Sequence, residues 1–291
     1  MTGKLVICPT PLGNLGDMTL RALEALREAD VVCAEDTRVT GKLLAALGIE
    51  GKHLERLDEN LVGGRADSIA ARVLAGETIA YCSDAGMPGV SDPGLRLVST
   101  AREAGAPVDV LPGPTAVATA YVASGTTSAN FYFGGFFPRK GAARKQLLES
   151  LRSLDAALVF YESPNRLVSA LASIAESLPY RQVAVCRELT KLHEEIVRGP
   201  VDEVKSQFEV REAIKGEIVI VIDAPNDEER QAASASAAAD AEQRAAELLA
   251  RGERPKTIAK LIADEFGVSR NEAYDIALQQ RPGPCCNRQE R

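Results

Sequence analysis

The stretch SDAGMPGVSDPG, residues 83–94, decides the fold of this chain. It follows a short apolar run, TIAYC at residues 78–82, and precedes a helical pattern over residues 95–104. An apolar run that opens into glycine, proline and aspartate before a helix is typical of a strand in a parallel sheet. Such sheets bind ligands beyond the carboxyl ends of their strands. Because Met87 and Val90 are its only bulky apolar residues, the stretch cannot fill a core, and we predict a ligand-binding loop.

Two further loops rich in glycine and proline follow apolar runs. The first, PTPLGNLGD at residues 9–17, follows a predicted strand at 4–8, and the second is PGPTA at residues 112–116. The strand at 4–8, an amphipathic helix and a strand at 31–34 form a βαβ unit, and such units place parallel strands in one sheet. We therefore expect all three loops to open on the same edge of one sheet and to surround a ligand.

Two charged segments also follow predicted strands. The first is EDTRVTGK at residues 35–42, and it is either a solvated helix start or part of a site, since Asp and Thr are ordinary N-caps. The second is RELTKLHEE at residues 187–195, which joins its strands by too short a link for a crossover helix. Those strands are therefore predicted to be antiparallel. The second segment is either a solvated hairpin or part of the site.

The composition describes a globular chain with a net charge of −7. No apolar run approaches the roughly 18 residues of a membrane span, and Pro9 falls too early for a signal peptide. Six cysteines form no CxxC pair and only two histidines are present, so we expect reduced thiols, no metal site and a cytoplasmic location. The charge argues against general attraction to nucleic acid. A local basic face remains compatible with it, because screening limits distant charges to about 8 to 10 Å.

Changes in composition divide the chain. Small and polar residues at 119–130 separate two α/β patterns, and an acidic, then alanine- and serine-rich segment follows residue 224. Pro255 and Gly267 bracket a helix, and a capping box opens the next one at residues 269–272. We predict α/β domains at residues 1–118 and 119–224, a linker at 225–240, a helix-turn-helix-like module at 241–282 and a tail at 283–291.

Eight motifs occur in order across residues 4–222: PTPLGNLGD, EDTRVTGKLL, SDAGMPGVSDPG, LPGPTA, FYFGGFFPRKG, YESPNR, CRELTKLHEE and KGEIVIVI. Together they closely resemble the ribosomal RNA small subunit methyltransferase I family, the 16S rRNA cytidine 2′-O-methyltransferases. The resemblance implies an α/β fold of the two-domain, tetrapyrrole methylase-like (class III) type with a small C-terminal helical module. It also implies S-adenosylmethionine in the cleft between the domains, a homodimer, and a cytidine ribose of 16S rRNA in the small ribosomal subunit as acceptor.

The sequence departs from this family at two positions. Members commonly carry His where this chain has Val39 and Asn165. Neither position can supply an imidazole base here, and His53 and His193 lie in no motif that replaces them. Proton transfer must therefore be sought among other side chains.

Methyl transfer from a sulfonium depends mainly on alignment of the acceptor hydroxyl. Alignment and desolvation supply roughly 7 to 11 kcal/mol, whereas a general base adds some 3 to 5 kcal/mol. Glycine and proline backbone with small side chains permits close approach to a cofactor. We predict cofactor contacts from the loops and one strand end: Pro11, Asp84, Gly86, Met87, Gly89, Val90, Pro114, Thr115, Ala116 and Tyr161.

Charged residues at strand ends are the candidates for acceptor activation. We favour Glu35 or Asp36 as proton acceptor, with Arg38 orienting the phosphate or ribose. Lys191 and Glu188 are the competing pair from the second charged segment. Asp84 and Asp92 are predicted to fix the loop or orient the cofactor. Cations beside an aromatic run and at two helix starts are predicted to contact RNA: Arg139, Lys140, Arg144, Lys145, Arg166 and Arg270.

Two other functions fit part of this pattern. A methyltransferase of the same fold could act on a small tetrapyrrole precursor, although the basic run and the terminal helical module count against it. A non-catalytic regulator could bind nucleic acid and retain a nucleotide-binding domain. Calorimetry with S-adenosylmethionine separates this regulator from an enzyme.

Overall fold

The structure is a computed structural model that describes residues 3–279. The chain divides into two compact units between residues 224 and 225. Two five-stranded sheets form the first unit, and three helices form the described part of the second. The predicted tail at residues 283–291, with Cys285 and Cys286, lies outside the described residues. Within residues 3–279, no helix is both long enough and apolar enough to span a membrane.

The first sheet is fully parallel and has the strand order β3-β2-β4-β1-β5. Its strands are β1 (Leu5–Ile7), β2 (Val31–Ala34), β3 (His53–Arg56), β4 (Ile79–Cys82) and β5 (Val108–Val110). Its helices are α1 (Leu20–Glu28), α2 (Thr37–Ala46), α3 (Glu59–Leu74) and α4 (Gly94–Glu103). One face of the sheet packs on α1 and α2 and the other on α3 and α4, so the central strands are buried on both sides. Cys8, Cys33 and Cys82 lie in this core as free thiols, as predicted.

Strand β3 was not predicted from the sequence. Its four residues, HLER, contain one apolar side chain, and it lies at the edge of the sheet. Glu55 on this strand pairs with Arg72 of α3, Nη1 to Oε1 at 2.9 Å. An edge strand with one solvated side shows no continuous apolar run, which is why the pattern missed it.

The second sheet is mixed and has the strand order β6-β7-β10-β8-β9. Its strands are β6 (Phe131–Phe136), β7 (Ala157–Glu162), β8 (Gln182–Arg187), β9 (Glu195–Pro200) and β10 (Ile218–Ile222). Only β6 and β7 are parallel, and the predicted antiparallel pairing of β8 with β9 is confirmed. Helices α6 (Gly141–Leu151), α7 (Leu167–Ser177) and α8 (Val201–Glu209) cover one face, which we call the helical face.

Helix α5 (Ala116–Ala123) packs on the opposite face of the second sheet, which we call the cleft face. Val117 and Ala120 of this helix belong to one hydrophobic cluster with Val159 of β7 and Val221 of β10. The predicted boundary between residues 118 and 119 falls inside α5. The chain therefore passes from one sheet to the other in loop 111–115, just before the helix.

The second unit consists of α9 (Asp227–Ala250), α10 (Pro255–Phe266) and α11 (Arg270–Gln279). Its core joins all three helices through residues such as Ala245, Ile258 and Ala273. The capping box is present, since the backbone N–H of Ser269 donates to Glu272 Oε2 at 3.1 Å and that of Glu272 to Ser269 Oγ at 3.3 Å. Most of the segment at 225–240, which we predicted as a linker, is helical and belongs to α9. Alanine-rich sequence favours helix, so this segment continues directly into the first helix of the module.

Gly64 lies on the exposed side of α3, where a Cβ would meet no atom within 4 Å. We expect Gly64→Ala to raise the free energy of unfolding by about 0.5 to 1 kcal/mol, because alanine loses less backbone entropy in a helix. Urea unfolding at constant pH measures this. Gly63→Ala is the control with a smaller gain, since its Cβ would lie 3.0 Å from the Arg96 guanidinium. A loss of stability in Gly64→Ala would contradict this account.

Glu195 at the start of β9 is held by two arginines. Arg211 donates to both carboxylate oxygens at 2.8 Å, and Arg187 Nε lies 2.9 Å from Oε2. These guanidinium groups, Arg211 first, lower the pKa of Glu195 from its ordinary 4.5 to about 2. The ion pairs therefore stabilise the fold above the ordinary pKa, and the stabilisation is lost as pH falls through the lower one.

We expect Glu195→Gln to lower the free energy of unfolding near pH 7 by about 1 to 2 kcal/mol. The value is modest because the carboxyl side chain is 31% exposed and solvent screens the pairs. Unfolding curves of both proteins should converge as the pH approaches the lowered pKa. A difference in stability that stays constant with pH would rule out the carboxylate as its source.

Candidate functional site

The loops that follow β1, β4 and β5 meet at one edge of the first sheet, because these strands are parallel neighbours. Two backbone hydrogen bonds join the first two loops: Thr10 N–H to Gly86 O at 3.0 Å and Gly86 N–H to Thr10 O at 3.1 Å. The third loop lies close to the first, since a Cβ on Gly113 would be 2.3 Å from Pro9 Cγ. The predicted convergence of three loops is confirmed.

Asp92 organises the loop at residues 83–94 from within. Its carboxylate accepts hydrogen bonds from the backbone N–H of Gly89 at 2.8 and 2.9 Å and of Gly94 at 2.8 Å. The Tyr81 hydroxyl donates to the same carboxylate at 3.3 Å. Gly86 and Gly89 have φ values of +80° and +93°, which favour glycine. Since the N–H groups of both glycines are already used, these residues offer a ligand space rather than donors.

A cavity of about 370 Å³ lies between these loops and the cleft face of the second sheet. Three of the predicted cofactor residues line it, namely Val90, Ala116 and Tyr161. Burial raises the pKa of Tyr161 to about 12, so this hydroxyl stays protonated near neutral pH. The other predicted cofactor residues lie in the loops but not among the residues that line this cavity: Pro11, Asp84, Gly86, Met87, Gly89, Pro114 and Thr115.

Most of the cavity wall was not predicted from the sequence. The additional lining residues are Leu12, Ala85, Phe136, Glu162, Ser163, Pro164, Cys186, Leu189, Gly216, Glu217, Ile218 and Val219. Leu12 and Ala85 adjoin predicted residues and could have been included on that ground. Cys186 and Glu217 come from β8 and the start of β10, and only the sheet order brings these strands beneath the loops.

Asp36 and Arg38 form one unit at the carboxyl end of β2. Asp36 caps α2 by accepting the N–H of Arg38 at 2.8 Å, and its other oxygen lies 2.6 Å from Arg38 Nη2. Hydrogen bonds from Arg38 hold the pKa of Asp36 well below its usual range. The N–H of Asp36 donates to Asp84 Oδ1 at 3.0 Å, which ties this segment to the central loop. Asp36 is thus ionised and engaged, which makes it a poor proton acceptor.

Glu35 has the opposite electrostatic environment. Its side chain is half-buried, and burial raises its pKa above the usual range, with the negative charges of Asp84 and Asp92 adding to the effect. The pKa of Asp84 is also raised, first by burial. A carboxylate with a raised pKa is better matched to accept a proton near neutral pH. Burial and ion pairing therefore make Glu35 a better candidate than Asp36, the two carboxylates that the sequence left as alternatives.

Lys191 reaches the first-sheet loops from the second sheet. Its Nζ lies 2.9 Å from Glu188 Oε1 and 3.0 Å from Glu217 Oε2. Its aliphatic stem packs on the loop after β1, where a Cβ on Gly13 would be 2.2 Å from Lys191 Cγ. Burial acts to lower the pKa of Lys191, but the two carboxylates outweigh it and raise the pKa. Lys191 is held as an ammonium and can orient an anion, but it cannot accept a proton.

Sequence comparison places these features in a family. The family model "Tetrapyrrole (Corrin/Porphyrin) Methylases" matches residues 4–205, and "RsmI C-terminal HTH domain" matches residues 235–281. A protein of Micromonospora olivasterospora named ribosomal RNA small subunit methyltransferase I is 39% identical over 98% of this chain and 90% of its own length. The chain belongs to the ribosomal RNA small subunit methyltransferase I family.

Other members of this family agree. Proteins of the same name from Thermotoga maritima and Escherichia coli O157:H7 are 45% and 41% identical, over 76% and 96% of this chain and 98% and 96% of theirs. Among solved structures, diphthine synthase has a TM-score of 0.61 at 14% identity, over 76% of this chain and 90% of that one. Uroporphyrin-III-C-methyltransferase from Thermus thermophilus has a TM-score of 0.52 at 22% identity, over 75% and 94%. The predicted class III methyltransferase fold with its helical module is confirmed.

The basic residues at 139–145 differ in their exposure, and one of the predicted RNA contacts among them has to be corrected. Arg139 and Lys140 are exposed, and Lys145 is exposed and pairs with Glu176 at 3.0 Å. Arg144, in contrast, is 4% exposed and donates to Pro138 O at 2.7 Å and to Ser169 Oγ at 3.0 Å. Helix α6 turns this position toward α7, so the prediction that Arg144 contacts RNA is wrong.

Two other predicted RNA contacts differ in how firmly they are held. Arg166 lies against the buried Glu162, with Nε 2.7 Å from Oε1. Arg270 begins α11 and is exposed. Arg166 is therefore fixed by its carboxylate partner, while Arg270 can turn toward a ligand.

Proposed function

We propose that the chain transfers a methyl group from S-adenosylmethionine to the ribose 2′-oxygen of a cytidine in 16S rRNA of the small ribosomal subunit. The observation that carries this is the cavity between three sheet-edge loops and the cleft face of the second sheet. The name of the relatives, ribosomal RNA small subunit methyltransferase I, supports rRNA as the substrate class. The proposed site of action is the cytoplasm, with a homodimer as the proposed assembly.

The residues around the cavity fit this cofactor. Leu12, Val90 and Ala116 give apolar walls for an adenosine, and Glu217 adds a carboxylate to the lining. Burial first, and then neighbouring charges that include Glu217, raise the pKa of the Asp84 carboxyl, and acidic groups of this kind favour a cationic ligand. When bound, S-adenosylmethionine supplies an electrophilic methyl group on a positively charged sulfur.

The chain's own residues position the acceptor and take its proton. Glu35 is the proposed proton acceptor: its carboxylate would take the proton of the ribose 2′-hydroxyl when that oxygen receives the methyl group and the cofactor's carbon–sulfur bond breaks. Arg38 is 86% exposed while Asp36 holds its guanidinium, so it is placed to meet a backbone phosphate. Lys191 presents a fixed ammonium on the other side. Alignment by these groups contributes more than the base, by about 7 to 11 against 3 to 5 kcal/mol.

The raised pKa of Glu35 predicts the pH dependence of turnover. The base acts only when ionised, so turnover should rise with pH through a pKa above the ordinary value for Glu. Asp36, whose pKa is lowered, should add no step in that range. Methyl-transfer rates at saturating cofactor, measured from about pH 5 to pH 9, test this. The Glu35→Gln variant should lack the acidic limb, and a wild-type profile that is flat on the acidic side would exclude Glu35.

RNA binding is proposed for two exposed basic surfaces. Arg139 and Lys140 precede α6 in the first unit. In the second unit, Lys256, Lys260 and Arg270 line one concave face together with Asn271, Tyr274 and Asp275. Cations of this kind meet phosphates, and the start of the last helix in a helix-turn-helix module is where nucleic acid is contacted.

The direct test is transfer of a tritiated methyl group to isolated small ribosomal subunits, free 16S rRNA and a tetrapyrrole precursor. We expect label in the ribosomal substrates and, after nuclease mapping, on the ribose of a single cytidine. Label in the tetrapyrrole alone would establish the small-molecule alternative. Binding of RNA without cofactor binding in calorimetry would establish the non-catalytic one.

A further inference from the structure

A register shift in β6 decides which face of the second sheet a phenylalanine occupies. Phe133 pairs with Val159, but Phe136 pairs with Tyr161 instead of with Glu162. Because side chains alternate between faces, an unshifted strand would direct Phe136 to the helical face, where the side chain of Glu162 lies 3.7 Å from Arg144 of α6. The extra residue moves Phe136 to the cleft face. Bulges that re-aim a side chain in this way are common beside active sites.

Two glycines make this shift possible. Gly135 has a φ of +68°, a conformation that favours glycine. A Cβ on Gly134 would lie 2.2 Å from Phe160 Cε1, so no larger residue fits there. Beyond the shift, Phe137 turns into the core and is 1% exposed. The backbone is therefore built to place one ring in the core and the preceding ring in the cleft.

The ring of Phe136 lines the cavity and is 59% exposed. Its centroid lies 5.5 Å from that of Tyr161, with an angle of 69° between the ring planes. Tyr161 is held in turn by Phe133, centroid to centroid at 5.0 Å. This edge-to-face chain fixes the orientation of Phe136 and leaves most of its surface open.

Exposed cations follow this ring closely in the sequence. The side chains of Arg139 and Lys140 are exposed and make no hydrogen bond or ion pair with another residue of the described range 3–279. An open aromatic ring followed by unpaired cations matches an unstacked nucleotide, whose base stacks while its phosphates meet the positive charges. A purely apolar ligand would leave both positive charges without a partner.

We propose that Phe136 stacks on the nucleobase of the acceptor nucleotide and thereby holds its ribose toward the cavity. This rests on the proposed function and names the residue that receives the extruded base. Enzymes that modify a nucleotide within a structured RNA or DNA bring it out of its stack, and aromatic side chains replace the lost neighbours. The competing occupant of the ring is the adenine of the cofactor.

The test compares Phe136→Leu with Phe136→Tyr in the full chain. Leucine keeps an apolar side chain but removes the ring, and tyrosine retains the ring. We expect Phe136→Leu to raise KM for small ribosomal subunits about tenfold or more, while Kd for S-adenosylmethionine in calorimetry changes less than about twofold. Phe136→Tyr should restore the wild-type KM. Unchanged KM, or a loss of cofactor affinity in its place, would overturn the proposal.

Phe131→Leu is the matched control, because Phe131 is 43% exposed in the same strand but packs against Tyr121, with ring centroids 4.8 Å apart. It should leave KM unchanged. Filter binding of wild type and Phe136→Leu to a 16S rRNA fragment separates this proposal from the function on which it rests. If RNA binds without being methylated, the proposed function fails, and a loss of binding in Phe136→Leu still supports stacking. If Phe136→Leu binds the fragment as tightly as wild type, or neither binds, stacking by Phe136 is rejected.

Discussion

Glu35→Gln should lower the turnover of methyl transfer by about a hundred- to ten-thousand-fold, while calorimetry shows S-adenosylmethionine bound with near wild-type affinity. The amide keeps the size of the side chain but cannot accept the proton of the ribose hydroxyl. Glu35 lies at the carboxyl end of β2. Burial, and then the charge of Asp84, raise its pKa, and no arginine is among the groups that act on this pKa. Single-turnover methyl transfer at saturating cofactor and RNA measures the effect.

Two variants serve as controls for this result. Glu24→Gln changes an exposed carboxyl on α1 and should leave turnover unaltered. Asp36→Asn weakens the α2 cap and the contact with Arg38, and should raise KM for RNA more than it lowers kcat. Near-normal kcat in Glu35→Gln would remove Glu35 from the mechanism and leave alignment as the whole contribution of the chain.

Gly86→Ala should weaken S-adenosylmethionine binding by about 10- to 100-fold. A Cβ at this position would lie 2.9 Å from Leu12 Cδ2, and Leu12 lines the cavity. The new methyl group therefore displaces Leu12 or the loop that carries it. The φ of +80° at Gly86 adds backbone strain to the alanine variant, which should lower the free energy of unfolding by about 1 to 2 kcal/mol.

Gly48→Ala separates strain from displacement. Gly48 has a φ of +65° at the end of α2, but a Cβ there would meet no atom within 4 Å. It should lose a similar amount of stability while keeping cofactor affinity. Paired urea unfolding and calorimetry on both variants give the comparison. Equal losses of affinity at the two positions would show that loop geometry around Gly86 is unimportant for the cavity.

The sequence was sufficient for features that depend on local pattern. The convergence of three loops followed from parallel strands, because their carboxyl ends share one edge. The antiparallel hairpin of β8 and β9 followed from the short link between them. The capping box at Ser269 follows a fixed spacing and is present. In each case neighbouring residues determine the outcome.

Features that depend on tertiary packing were missed or misplaced. Arg144 belongs to a basic run, yet its position on α6 directs it into a buried contact with Ser169. Phe136 becomes a cavity residue only through a register shift, and the alternation of a regular strand would have assigned it to the other face. The β10 residues of the wall depend on the order of strands in the second sheet. None of these relations is encoded in the spacing of residues along the chain.

The second sheet contacts the loops of the first, as in the packing of Lys191 on the loop at Gly13, and this affects the stability of both sheets. The cavity takes its walls from both sheets, so neither sheet alone offers a complete binding site. A ligand that occupies it binds only when both are folded, and at a hundred times its Kd it would stabilise them together by about 2.7 kcal/mol. Binding of such a ligand would thus link the folding of two sheets that have separate hydrophobic cores, and in its presence they should unfold in one cooperative step.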